Sequence, residues 1–128
     1  MSRTSLWPEL PIATKPRGMR QMLTAAGADI REQTKDIVHF HVVTEGRNKQ
    51  GELEFVHYCR FYIPSAGGLM FDLLQVQTGP TAFPAKVEWS KGSHTVENEE
   101  QLRQKLAEIF QSEHTKQLLL NLIANFDK

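Results

Sequence analysis

The segment from Leu53 to Ile63 constrains the fold most. Leu53, Phe55, Cys59, Phe61 and Ile63 occupy alternate positions there, and His57 is the one polar residue in the series. Strand side chains point alternately to opposite faces, so this period of two predicts a strand with one apolar face. A helix would scatter the same residues around its circumference.

Ile37 to Thr44 has the same density of β-branched and aromatic residues, with Val38, Phe40 and Val42 on one face. Gly46 to Gly51 reads as the turn between the two strands, which predicts an antiparallel hairpin. Pro64 to Gly68 is a second turn, leading into a third strand from Leu69 to Gln77. Thr78-Gly79-Pro80 ends that strand, and Ala85 to Trp89 reads as a short fourth one.

The flanking segments are helical. Met19, Met22, Leu23, Ala26 and Ile30 recur at helical spacing behind Thr14 as a cap and Pro16 in the first turn, and Thr34 to Asp36 end the helix. Asn98 with Gln101 resembles a capping box ahead of Leu102, Leu106, Ile109 and Phe110. Ser112 caps a last helix carrying Leu118, Leu119, Leu122, Ile123 and Phe126. The expected fold is α+β: a four-stranded antiparallel meander sheet with one N-terminal and two C-terminal helices, in the order α-β-β-β-β-α-α. Phe40, Phe55, Phe61, Leu106 and Leu122 are expected in one buried network.

A chain of 128 residues suits one domain with a core of its own. Residues 15–128 form that single α+β domain, and residues 1–14 form an extended N-terminal arm in which Trp7, Pro8 and Pro11 disfavour regular structure. An indole is costly to leave in water, so Trp7 is expected to pack on its own domain or on a second copy. The homodimer is the preferred expectation. Fifteen Lys plus Arg balance fifteen Asp plus Glu, which makes nucleic acid an unfavourable partner. Cys59 is the only cysteine, which excludes an intrachain disulfide and a zinc site built on several cysteines. The N-terminal residues lack the apolar core of a secretory signal, and no apolar run approaches a membrane span. The cytoplasm is the expected compartment.

His39, His41, His57 and Cys59 are the one set with metal-ligand chemistry, since imidazole and thiolate together suit zinc. Register decides whether they meet, and apolar patterning sets register. Pairing apolar face with apolar face puts His39 and His41 beside Tyr58 and Arg60, away from His57 and Cys59. The metal cluster then dissolves, and no metal or cofactor is expected. The same register lines one sheet face with His39, His41, Glu54, Tyr58, Arg60 and Tyr62, suited to a partner, a small anion or a single-stranded nucleic acid.

Other candidates are weaker. Cys59 as a nucleophile needs exposure and a nearby base, whereas its apolar neighbours predict burial. Asp72 lies between Phe71 and Leu73, which points to a strand edge or a hydrogen bond to a neighbouring turn. Ser65, Ser90 and Ser93 sit in turns without a nucleophile elbow, and Gly67-Gly68 precedes a strand where a phosphate loop needs a helix. Lys15, Arg17 and Arg20 crowd the start of the first helix, against its dipole, and suit an acidic surface.

The function these observations favour is a small non-enzymatic protein-binding module, immunity-, chaperone- or adaptor-like, acting through a sheet face and the N-terminal arm. Its expected contact residues are Trp7, Arg17, Arg20, His39, His41, Tyr58, Arg60 and Tyr62. The alternative is a small-ligand-binding protein or hydrolase-type enzyme using the His39, His41, Tyr58 and Arg60 face, joined by Asp72. That alternative requires an enclosed, concave site.

Overall fold

The structure is a computed structural model, and it describes residues 5–10 and 17–127. Thr14 and Pro16, the expected start of the first helix, lie outside these residues. Helix α1 spans Met19–Gly27 and is followed after two residues by a single turn, α2, Ile30–Gln33. Gly18 is the N-cap of α1, and its amide donates to the Gln21 side chain at 3.1 Å. The strands are β1 His39–Lys49, β2 Glu52–Ile63, β3 Leu69–Thr78, β4 Ala85–Trp89 and β5 Gly92–Val96. Helices α3, Glu99–Phe110, and α4, Glu113–Phe126, complete the chain.

The fold is α+β with one antiparallel sheet in the order β1-β2-β3-β4-β5. The sheet has five strands where the sequence pattern predicts four. The added strand β5 pairs with all of β4, from Ala85↔Val96 to Trp89↔Gly92. Only Thr95 and Val96 of its five residues favour strand, so pairing with β4 carries the rest. Among the described residues three helices exceed one turn, and α2 accounts for the far end of the expected N-terminal helix.

The β1–β2 turn is shorter than expected. β1 runs on to Lys49, and the reversal occupies only Gln50 and Gly51, with φ of 54° and 84°. Two consecutive left-handed residues are the signature of a type I′ turn, whose twist matches a hairpin. The polar end of β1 is held as strand by its partners: Arg47 faces Glu54 and Lys49 faces Glu52, opposite charges across the ladder.

Helices α1 and α3 cover one face of the sheet. Leu23, Leu102 and Ile109 are fully buried, and Met19, Met22 and Leu106 nearly so. They join Val42, Cys59, Phe61, Leu74, Val76, Val87 and Val96 in one cluster. Burying one such aliphatic side chain is worth about 1.5–3 kcal/mol. Gly27 sits where α1 meets the sheet: a Cβ there would lie 2.2 Å from the Phe40 ring, so only glycine permits this approach. Of the five residues expected in one buried network, Phe61 and Leu106 are buried, while Phe40 and Leu122 are partly buried against the cluster. Phe55 is partly exposed and outside it, because it lies near the turn of the hairpin, opposite Gly46.

The C-terminal helices start as expected. The Asn98 side chain accepts from the Gln101 amide at 2.9 Å, while the Gln101 side chain accepts from the Glu97 amide at 2.8 Å. Ser112 accepts from the Thr115 amide at 3.2 Å. Each contact satisfies a backbone donor that the helix itself leaves free. Among the described residues no helix is long and apolar enough to cross a membrane.

Candidate functional site

The register places His39 opposite Tyr62, His41 opposite Arg60 and Val43 opposite Tyr58. These residues share the face that the helices leave open, and Phe40, Val42, Cys59 and Phe61 share the other. The faces pair as expected, but the histidines stand opposite Tyr62 and Arg60, and Tyr58 is opposite Val43 instead. His39 and His41 stand on the open face, whereas His57 and Cys59 stand on the core face. Among the described residues no three His, Cys, Asp or Glu side chains are grouped to hold a metal ion.

The open face carries a contiguous ladder. His41 stacks on Tyr62 with ring centroids 4.7 Å apart and planes 17° from parallel. The His39 ring centroid lies 5.9 Å from that of Tyr62, tilted against it, and its Nε2 is 2.9 Å from a carboxylate oxygen of Asp36. Arg31 and then His39 hold the Asp36 carboxyl below its ordinary range. The Arg60 guanidinium sits 5.3 Å from the centre of the Tyr58 ring and forms an ion pair with Asp72. Tyr58 accepts a hydrogen bond from Arg47 at 2.9 Å and donates to Glu45 at 3.4 Å. Further along the sheet Gln75 donates to Glu88, which also pairs with Lys86 at 3.0 Å. Lys86 and then Gln75 lower the Glu88 pKa.

Asp72 stands at a strand edge, since β4 pairs with β3 only from Leu74 onward. It lies on a strand flanked by β2, opposite Arg60, at a β-bulge. Arg60 pairs with Asp72 and Cys59 with Leu74, so Leu73 is the extra residue and turns into the core. The bulge is what lets an acid stand between two apolar neighbours and still face its arginine. The Asp36, Glu45 and Arg47 contacts were absent from the sequence reading. The charge alternation of Glu45 and Arg47 against Glu52 and Glu54 was the signal available for part of them.

The remaining candidates are elsewhere. Arg17 pairs with Glu99 at 3.1 Å and so ties the start of α1 to α3. Arg20, also on α1, is exposed on the helical side, where its charge and above all burial depress the His57 pKa. Neither arginine joins the ladder. His57 is 5% exposed, and its Nδ1 is 2.8 Å from the Thr44 hydroxyl, a buried histidine with a hydrogen-bond partner. Cys59 is fully buried, and burial pushes its thiol up to about 12, which leaves it unreactive. Trp7 is 82% exposed and does not pack on its own domain; Leu6 and Leu10 beside it are exposed as well.

No protein-family model matches the chain, and neither a curated protein nor a solved structure matches it. A depression of about 770 Å³ lies at the hairpin end of the sheet, lined by residues including Lys49, Glu52, Glu54, Gln77, Lys86 and Thr95. His39, His41, Arg60 and Tyr62 do not line it. The ladder stands on a surface with exposed charge and aromatic rings, and surfaces of that kind bind by contact over area.

Proposed function

We propose that this chain is a non-enzymatic protein-binding module of the cytoplasm that holds its partner against the open sheet face. The observation that carries the reading is the His41–Tyr62 stack beside the Arg60–Tyr58 pair, on a face that no helix among the described residues covers. Tyr and Arg are the residues that most often dominate binding energy, and stacking has already restricted their rotamers. Bases and acids alternate across the face, which favours a protein surface of mixed charge over a phosphate backbone. Leu6, Trp7 and Leu10, exposed in the arm, supply a second apolar contact for the same partner or for a second copy. An immunity protein, a chaperone and an adaptor all use such a surface. A hydrolase-type enzyme or small-ligand binder would gather all of these side chains around one cavity, whereas a depression of about 340 Å³ takes in Tyr58 and Asp72 without His39, His41 or Arg60.

The test is quantitative capture from a native lysate with the immobilised full chain. It compares wild type, an open-face variant (His41→Ala with Tyr62→Ala) and a helical-side control at the exposed Arg103 (Arg103→Ala). A partner held by two interface hot spots of about 2 kcal/mol each should bind the face variant about a thousandfold more weakly and be retained by the control. Equal capture by all three proteins would overturn the proposal.

A further inference from the structure

Two features of the described residues are unused by the fold. The first is the arm, where Leu6, Trp7 and Leu10 are 101%, 82% and 69% exposed and residues 5–10 form no regular element. Trp7 precedes Pro8 and Leu10 precedes Pro11. A residue before proline is pushed to extended backbone, so these side chains are held out at little further ordering cost on contact. The second is a cavity of about 310 Å³ on the helical side of the sheet, between the α1–α2 corner and the α3–α4 corner. Ile30, Phe40, Phe61, Phe110 and Leu119 wall it. The Phe40 ring stands edge-on to Phe61 at 6.4 Å and to Phe110 at 5.7 Å, which makes the wall one aromatic surface. Asp29, Gln33 and Gln111 are at the exposed rim, and none of their side chains has a hydrogen-bond partner among the described residues. Asp29 is the one charged residue of that lining, and a carboxylate only accepts. Aromatic walls with an acceptor at the mouth suit a flat apolar group that carries a single donor, which is the chemistry of an indole.

We infer that this cavity receives Trp7 of a second copy. The chain's own Trp7 does not fill it, since that side chain is 82% exposed. The ten residues from Pro8 to Arg17 span up to about 33 Å when extended, enough for the indole to clear its own helices. In the cavity the indole meets the Phe40 and Phe110 rings, and its N–H donates to a rim acceptor, with the Asp29 carboxylate the strongest. Socket and plug occur once each on the same chain. A two-fold pair therefore exchanges both arms and buries two indoles in one assembly, which an unrelated tryptophan-bearing peptide does not. Each indole buries about 200 Å². That is well below the roughly 800 Å² per partner of a standard interface, so the exchange is weak, with Kd of about tens of micromolar or higher. The contact lies on the opposite side of the sheet from the ladder and stands whether or not the open face holds a partner.

Fluorescence of the purified full chain tests it without the lysate. Trp89→Phe leaves Trp7 as the only tryptophan. Its emission should be that of an exposed indole at about 5 µM and shift to the blue as the concentration rises to about 500 µM. The sedimentation mass should rise from one chain towards two over the same range. Adding Ala26→Phe should abolish both changes, because Ala26 is an exposed helix position that lines the cavity and the ring fills it from outside the core. Trp7→Ala in the otherwise wild-type chain should abolish the rise in mass with the far-UV circular dichroism unchanged. Emission that stays exposed throughout would overturn the inference, and so would a blue emission at the lowest concentration with the mass of one chain. A shift that persists with Ala26→Phe, or a dimer that persists in Trp7→Ala, would overturn it as well.

Discussion

Gly27→Ala should destabilise the protein even though alanine is the better helix former. The exchange gains about 1 kcal/mol of helix propensity. Against that, the new Cβ would lie 2.2 Å from Phe40 Cδ2, 2.3 Å from Cγ and 2.5 Å from Cε2. Cγ is the root of the ring, so a tip rotation cannot relieve the overlap; either χ1 of Phe40 or the helix must move. Phe40 is held edge-on by Phe110 at 5.7 Å and Phe61 at 6.4 Å, which resists that movement. Overpacking of this kind costs about 1–3 kcal/mol, and contact with the ring root places it at the upper end. The net loss is about 2 kcal/mol, or about 8 °C in thermal midpoint for a domain of this size. Urea unfolding should show the lower midpoint with an unchanged slope. In a Phe40→Ala background the ring is gone, and the same Gly27→Ala change should gain about 1 kcal/mol. A Gly27→Ala protein as stable as wild type, or an equal loss in both backgrounds, would refute the packing of Phe40 beneath α1.

Two further outcomes follow from the buried titratable groups. Cys59, its thiol raised to about 12, should leave a thiol reagent unreacted in the native state and react fully on unfolding; stoichiometric native labelling would contradict its burial. His57 has a folded pKa below its ordinary value of 6.5, chiefly from burial, so the unfolded chain takes up a proton more readily. The stabilising effect of neutral His57 is full above about pH 6.5 and is lost as pH falls towards the folded value. A thermal midpoint that does not fall across that window, or one that falls equally in His57→Leu, would contradict this.

Much of the sheet was legible because its alternation was strong. Phe40, Val42, Cys59 and Phe61 fixed the core face, and the register that follows from them separates His39 and His41 from His57 and Cys59. β5 was not legible: Thr95 and Val96 are too short a run to mark a strand, and the conformation of Ser93 and His94 comes from β4. The second half of β1 resembles a turn, since Gly46 and Asn48 are turn formers, and its strand character comes from cross-strand charge pairs. The open face was legible as a set of residues, but its stacking was not. Which ring lies on which depends on rotamers fixed by neighbours on adjacent strands, such as the Asp72 that a bulge turns towards Arg60. Gly27 carries no legible role in the sequence, where glycine only weakens a helix; what it does, admitting the Phe40 ring beneath α1, depends on a residue thirteen positions on.

The central claim is that the face bearing His41, Tyr58 and Tyr62 meets a macromolecular partner. Covalent footprinting with a histidine- and tyrosine-modifying reagent measures this directly, with the chain held in whole lysate, in protein-free ultrafiltrate of that lysate, and in buffer. His94 and His114, exposed and outside the ladder, are internal controls. The account predicts that His41, Tyr58 and Tyr62 lose reactivity in whole lysate only, with the controls unchanged. Unchanged reactivity of the ladder in lysate, or protection by the ultrafiltrate as well, would contradict it, the second result assigning the face to a small ligand.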